Sequence, residues 1–222
     1  MKRSKAAIGD LFTGSEPRRG REEIAQGAWL LPGFALEVAD DLLAEIYRVA
    51  EAAPFRNMVT PGGFRMSVAM TNCGSAGWVT DRKGYRYQPT DPGTGRAWPP
   101  IPEVFLDLSR RASQDAGFGD FRPDACLVNR YEPGTRLTLH QDRNERDFGQ
   151  PIVSVSLGIP AIFLFGGNER KDRPKRVPVK HGDVVVWGGP ARLAFHGVAE
   201  LDDADHPATG RLRYNITLRK AR

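Results

Sequence analysis

His140-Gln141-Asp142 places a histidine and an aspartate two residues apart at the end of the strand-like stretch RLTLHQD. In extended chain, residues two apart face the same way, so both side chains can reach one ion. The chain has four histidines, and a second pair of this kind stands at His181-Gly182-Asp183. Their surroundings differ. Gly182 sits in a turn just before Val184-Val185-Val186-Trp187, so His181 and Asp183 read as turn residues opening a buried strand. Only one hairpin fits between Asp183 and His196. Several strands fit between Asp142 and His196, enough to fold the chain back over the first pair. Two histidines and one carboxylate then make a facial triad, a ligand set with open positions suited to non-haem Fe(II) oxygenases. Spacing alone also allows His140 to be a surface histidine at a strand end and His196 a packed one behind Phe195.

The last strand-like stretch adds a second requirement. In Arg213-Tyr214-Asn215-Ile216-Thr217-Leu218-Arg219, alternation puts Arg213, Asn215, Thr217 and Arg219 on one face. Tyr214, Ile216 and Leu218 already supply an apolar face, which argues against a solvent-facing basic strand. Two arginines on an inner face need anions. A guanidinium pairs bidentately with a carboxylate, which suits a dicarboxylate cosubstrate. Asn129 and Tyr131 form another same-face pair upstream and can supply neutral hydrogen-bond donors to the same ligand.

The elements that must position these residues fall into three regions. Residues 1–22 are charged, with little apolar periodicity, and read as a flexible basic tail with a small anchoring contact at Leu11 and Phe12. Leu36 to Ala53 has apolar residues at helical spacing and stops at Pro54, and a second helix is expected from Pro102 to Ala116. Between them, 54–100 is crowded with Gly, Pro and aromatics. It reads as a loop-rich lid carrying one strand, Met66 to Thr71, and a hairpin from Trp78 to Tyr87. From Ala125 onward, ACLVNRYE, RLTLHQD, IVSVSL, AIFLF, RVPVKHGDVVVW, ARLAFHG and LRYNITLR follow as strands separated by turns. Strand after strand at this spacing suggests a sandwich, jelly roll or barrel.

Length and composition are consistent with this. The chain has 222 residues, 40% of them hydrophobic, which suits one domain with a sizeable core. Gly 24 and Pro 17 fit a turn-rich fold. No apolar run is long enough for a transmembrane helix, and Met1 to Asp10 lack the apolar stretch of a secretory signal. Cys73 and Cys126, the two cysteines, cannot build a disulfide framework and fit a reducing cytosol, so a cytoplasmic protein is expected. A net charge of +5 permits a nucleic-acid partner without establishing one.

Taken together, N-x-Y, H-x-D, a lone downstream histidine and R-x-N-x-T-x-R resemble the AlkB family of Fe(II)- and 2-oxoglutarate-dependent dioxygenases, its bacterial members in particular. VTPGGFRMSVAMTNCG, PDACLVNRYEPG, PIVSVSLGIPAIF and HGDVVVWGG are similar to segments of that family in the same order. The resemblance covers roughly residues 27–222. It implies a mainly β protein with flanking helices (α+β): a double-stranded β-helix, or jelly roll, over 125–222 and a nucleotide-recognition lid over 54–100, within a single dioxygenase domain, 23–222. By family position His140, Asp142 and His196 hold Fe(II). Arg213 pairs with the distal carboxylate of 2-oxoglutarate, Asn129 and Tyr131 assist, and Asn215 and Arg219 line the same pocket. Trp78, Tyr85 and Tyr87 meet the damaged nucleotide, with Arg170 reaching in from the loop 166–176.

The implied reaction is oxidative demethylation of N-alkylated bases such as 1-methyladenine and 3-methylcytosine, consuming O2 and 2-oxoglutarate and releasing formaldehyde, succinate and CO2. The implied partners are alkylated single-stranded or double-stranded DNA and also RNA, with a monomeric enzyme and no membrane. An extruded base needs a flat surface, which Trp78 offers, and a cationic base gains from aromatic contact. The run NERKDRPKR can contact phosphates without reading sequence. One position departs from the bacterial pattern: two residues after Asp142 the chain has the neutral Asn144, where those members carry an acid. Asn144 both donates and accepts, so charge complementarity to a cationic base weakens. The competing readings are a hydroxylase of a protein side chain or small metabolite, and a cupin-like binding module with a vestigial site. The aromatics and basic loop speak against the first, and the complete triad with its arginine strand against the second.

Overall fold

The computed structural model describes residues 20–222. The expected anchor at Leu11 and Phe12, and all but the end of the expected tail, lie outside these residues. The described residues open with a hairpin, β1 (Glu22–Ala25) and β2 (Ala28–Leu31), followed by helix α1 (Ala39–Ala52). Three strands come next: β3 (Ala69–Gly74), β4 (Gly77–Asp81) and β5 (Gly84–Gln88). After helix α2 (Glu103–Asp115) the remainder is β: β6 (Ala125–Tyr131), β7 (Leu137–His140), β8 (Ile152–Gly158) and β9 (Ala161–Phe165). It closes with β10 (Lys175–Val179), β11 (Val184–Trp187), β12 (His196–Val198) and β13 (Arg213–Arg219).

Two antiparallel sheets make the roll. The larger has seven strands in the order β1-β2-β11-β8-β13-β6-β3, and the smaller runs β10-β9-β12-β7. β4 and β5 form a separate two-stranded hairpin. Alternation along β13 sorts its side chains between two environments. Tyr214, Ile216 and Leu218 join the cluster under the helices, with Leu42 and Ile46 of α1 and Phe105 and Leu108 of α2. Arg213, Asn215, Thr217 and Arg219 face a cavity between the sheets. β6 behaves the same way, with Val128 toward the helices and Asn129 and Tyr131 toward the cavity. The helices therefore cover one face of the large sheet and free the other to carry polar groups. Fully burying a side chain such as Ile46, which is 0% exposed, contributes about 1.5–3 kcal/mol.

Three expectations need correction. The stretch 54–100 is not a loop-rich lid apart from the core. Its strand lies three residues later than expected, at Ala69–Gly74, and pairs with β6 as the last strand of the large sheet. Val68, Met70, Cys73, Val79 and Trp98 are all buried. Two of the glycines that suggested mobility serve close approach instead. A Cβ on Gly77 would fall 2.4 Å from the Trp98 ring, and one on Gly74, at φ +118°, 2.4 Å from the Asp124 carbonyl. Second, β1 and β2 went unread, being only four residues each, and β1 starts inside the range assigned to the tail. Third, Ala191–Phe195 is not strand: a 3-10 turn spans Gly189–Ala191 and the strand begins only at His196. Pro190 has no N–H to give a ladder. Arg192 is held instead by the carbonyls of Gln150 and Asp142, at 3.1 and 2.8 Å.

Candidate metal centre and nucleotide pocket

β7 and β12 are neighbours in the small sheet, and His140 and His196 are direct partners across the ladder. Their rings stand side by side with centroids 4.4 Å apart. Asp142 lies just beyond the end of β7, with Oδ1 3.9 Å from His140 Nε2 and Oδ2 3.6 Å from His196 Nε2. One ligand atom from each of the three lies within 4.8 Å of the others, so the group could hold a single metal ion. His181 and His206 lie outside this group and stack on each other instead, with centroids 4.4 Å apart.

The histidine tautomers follow from the backbone. His140 Nδ1 lies 2.9 Å from the Thr138 carbonyl, and His196 Nδ1 2.9 Å from that of Ala194. A carbonyl only accepts, so each Nδ1 carries the proton and each Nε2 keeps a lone pair toward the centre. Burial, reinforced by His196, pushes the His140 pKa down to about 4. Burial alone would raise the Asp142 carboxyl. Arg219, helped by the two imidazoles, outweighs it and holds that carboxyl well below the usual carboxylate range. His140 and Asp142 are thus in metal-binding form at neutral pH. Arg219 Nε donates to Asp142 Oδ2 at 2.7 Å and its terminal nitrogen lies 2.7 Å from the same oxygen, leaving Oδ1 open. Arg219 serves the metal ligand as well as lining the cavity.

At the other end of β13, Arg213 is 2% exposed. It donates to Ser156 Oγ at 3.1 Å and lies over the Tyr131 ring at 5.6 Å, but its Nε has no partner. Burial pushes this guanidinium down. Tyr131 Oη and Asn129 Oδ1 are also buried without partners. Burial lifts the Tyr131 phenol to about 12, with Arg213 opposing, so it stays a neutral donor. Asn215 is fixed by donating to Ser154 Oγ at 2.8 Å and the Val155 carbonyl at 3.0 Å. A buried cation whose Nε is unsatisfied, beside the unpartnered Tyr131 hydroxyl, is what a ligand carboxylate would complete. Ser154 and Ser156 were missed in the sequence, although their alternation with Val153 and Val155 carries the same signal as β13.

The cavity, about 1000 Å³, runs from Arg213 past the triad to the surface at Trp78, Tyr85, Asn144 and Arg170. Trp78 and Tyr85 stack with centroids 5.7 Å apart. Trp78 Nε1 donates to Asn144 Oδ1 at 3.2 Å, and Asn72 of β3 clamps its backbone through bonds of 2.9 and 3.0 Å. Arg170 donates to the Leu139 carbonyl at 3.2 Å and lies over Phe195. Of the expected site residues, Tyr87 alone is absent from the cavity wall: its hydroxyl donates to buried Glu145 at 2.5 Å. Trp187, which also lines the cavity, packs 4.9 Å from the His196 ring.

A double-sheet roll closed around two histidines and a carboxylate, with a buried arginine waiting for a carboxylate beyond them, defines an Fe(II)- and 2-oxoglutarate-dependent oxygenase. The profile of the 2OG-Fe(II) oxygenase superfamily matches residues 27–219. The chain is 55% identical over 212 residues to the alpha-ketoglutarate-dependent dioxygenase AlkB of Escherichia coli (strain K12), covering 96% of this chain and 97% of that protein. It is 35% identical over 125 residues to the human nucleic acid dioxygenase ALKBH1, covering 56% of this chain and 32% of that one. The solved structure of OsALKBH1 superposes with a TM-score of 0.80 at 29% identity, covering 90% of this chain and 100% of that one. The chain belongs to the AlkB family of 2OG-Fe(II) oxygenases, and it is a dioxygenase that uses Fe(II) and 2-oxoglutarate.

Proposed function

We propose that this chain oxidatively dealkylates N-alkylated bases such as 1-methyladenine and 3-methylcytosine in single-stranded and double-stranded DNA and in RNA, reversing alkylation damage directly. One observation carries the reading: the metal triad lies in the same cavity as a stacked aromatic pair, Trp78 on Tyr85, at its mouth. A base must leave its stack to reach such a centre, and an aromatic face replaces the stacking it loses. The protein works as a monomer in the cytoplasm on this reading. Among the described residues, no helix is long and apolar enough to cross a membrane.

His140, Asp142 and His196 would hold the iron, and Arg219 on Oδ2 would keep the carboxylate turned toward it. Arg213 would receive the far carboxylate of 2-oxoglutarate, with the Tyr131 hydroxyl donating to it and Asn129 and Asn215 lining the same pocket. Bound Fe(II) and O2 supply oxidation of the N-alkyl carbon while 2-oxoglutarate becomes succinate and CO2, and that carbon departs as formaldehyde. Phe163, Val198 and Trp187 give the cavity apolar walls that limit water around the reacting carbon. Trp78 and Tyr85 orient the base, Asn144 meets its edge, and Arg170 and the basic loop contact phosphates. Formaldehyde release from methylated single-stranded oligonucleotides, with and without 2-oxoglutarate, tests the reading. Release that depends on both the methyl group and 2-oxoglutarate is expected. Succinate formation with no formaldehyde from any methylated base would overturn it.

A further inference from the structure

Beneath the triad lies a set of buried charges larger than the metal requires. Glu145, three residues beyond Asp142, has a side chain 1% exposed and does not line the cavity. Its Oε1 accepts from the Tyr87 hydroxyl at 2.5 Å and lies 3.7 Å from Arg219 Nε. Its Oε2 lies 3.4 Å from a terminal nitrogen of Arg192 and has no hydrogen-bond partner. Both arginines also grip Asp142, Arg219 through the carboxylate at 2.7 Å and Arg192 through the backbone carbonyl at 2.8 Å. Arg219 thus lies beside two buried carboxylates and Arg192 beside one of them, and only Asp142 is in the metal group.

Burying a carboxylate is costly unless its charge is used. The charge of Glu145 acts on the same guanidinium that holds the Asp142 carboxylate, with Oε1 3.7 Å from the Arg219 Nε that donates to Asp142. Without it, Asp142 would be the sole carboxylate beside Arg219, its own charge would be drawn away from the ion, and the ion would face uncompensated positive charge. The tyrosine end matters as well. Tyr87 belongs to the β4–β5 hairpin and pairs across it with Trp78, so the strand that turns one aromatic to the cavity sends another inward to the metal site.

We propose that Glu145 is a positioning residue for the metal ligand Asp142, acting through Arg219, and that Tyr87 ties it to the hairpin that faces the nucleotide. Tyr87 accordingly sets the metal centre and does not meet the base. The proposal rests on the reading of the triad as the iron site.

The test is calorimetric titration of the metal-free chain with Mn(II), a divalent ion suited to the same ligand set, beside binding of a methylated oligonucleotide. Partners of ligating groups typically matter by 10–100-fold, so Glu145→Gln should weaken Mn(II) binding by about tenfold or more. Glu145→Asp, which keeps the charge, should recover part of the loss. Tyr87→Phe should weaken Mn(II) binding in the same direction and lower kcat, with oligonucleotide affinity and KM unchanged. Wild-type Mn(II) affinity in both Glu145→Gln and Tyr87→Phe would overturn the proposal, as would a Tyr87→Phe variant that loses oligonucleotide affinity alone. If Glu145→Gln does not fold, Tyr87→Phe decides, since it removes one hydroxyl and keeps the ring. Failure of the wild-type chain to bind Mn(II) would instead overturn the metal reading itself.

Discussion

Replacing Arg213 with alanine separates a ligand-binding arginine from a structural one. The side chain is 2% exposed, makes one hydrogen bond to another side chain, and has an Nε with no partner. Burial already pushes its guanidinium down, so the ligand-free fold gains little from its charge. The bound carboxylate of 2-oxoglutarate would gain a great deal. Leaving one member of a buried ion pair alone costs roughly 3–5 kcal/mol. At about 1.4 kcal/mol per decade, that is on the order of a 100- to 4000-fold higher 2-oxoglutarate requirement. The assay is succinate formation against 2-oxoglutarate concentration at saturating oligonucleotide, with a melting curve of the ligand-free variant. A steep rise in the 2-oxoglutarate KM is expected, with a melting temperature at or above wild type. Arg213→Lys should recover only part, because the bidentate fork is lost. An unchanged KM, or a variant that simply unfolds, would refute the reasoning.

Trp78→Ala should weaken binding of a methylated oligonucleotide by about 1–3 kcal/mol, the usual worth of base–aromatic stacking, while oligonucleotide-independent succinate release changes far less. A drop in melting temperature without loss of binding would make Trp78 a core residue. Asn144→Asp should shift relative rates toward cationic bases such as 1-methyladenine over neutral alkylated ones, since it adds charge at nearly constant shape. Equal rate ratios before and after would place Asn144 outside the base pocket. The stacked His181–His206 pair predicts a pH effect on stability. Burial lowers both imidazoles, and for His181 the neighbouring His206 adds to it. Folded pKa values below the unfolded 6.5 mean that the unfolded chain binds more protons. The pair's contribution is therefore complete above that value and lost as pH falls below it. His206→Gln should flatten the melting temperature between about pH 7 and 5, and a slope equal to wild type would exclude the pair as the source.

What the sequence disclosed depended on how local the signal was. β13 was readable because both of its faces carry a period-two pattern, and the fold buries each face against a different layer. The triad needed only one long-range contact, which the number of strands between Asp142 and His196 made feasible. Glu145 and Arg192 gave no signal. Both are charged residues in irregular segments, and only tertiary structure reveals that each is buried against the other. Tyr87 misled for a related reason. It pairs with Trp78 across a two-stranded ribbon, and such ribbons twist strongly, so aromatics on one hairpin can meet different neighbours. The glycines of 54–100 misled because a glycine that permits close packing and a glycine that permits motion look alike in sequence.

The account stands or falls on coupled product formation. With a single-stranded oligonucleotide carrying one 1-methyladenine, formaldehyde, restored adenine and the succinate above the oligonucleotide-free background should appear in equal amounts. All three should vanish together in Asp142→Ala, which loses a ligand and its negative charge. Oligonucleotide-stimulated succinate without restored adenine in the wild type, or base repair that survives Asp142→Ala, would contradict it.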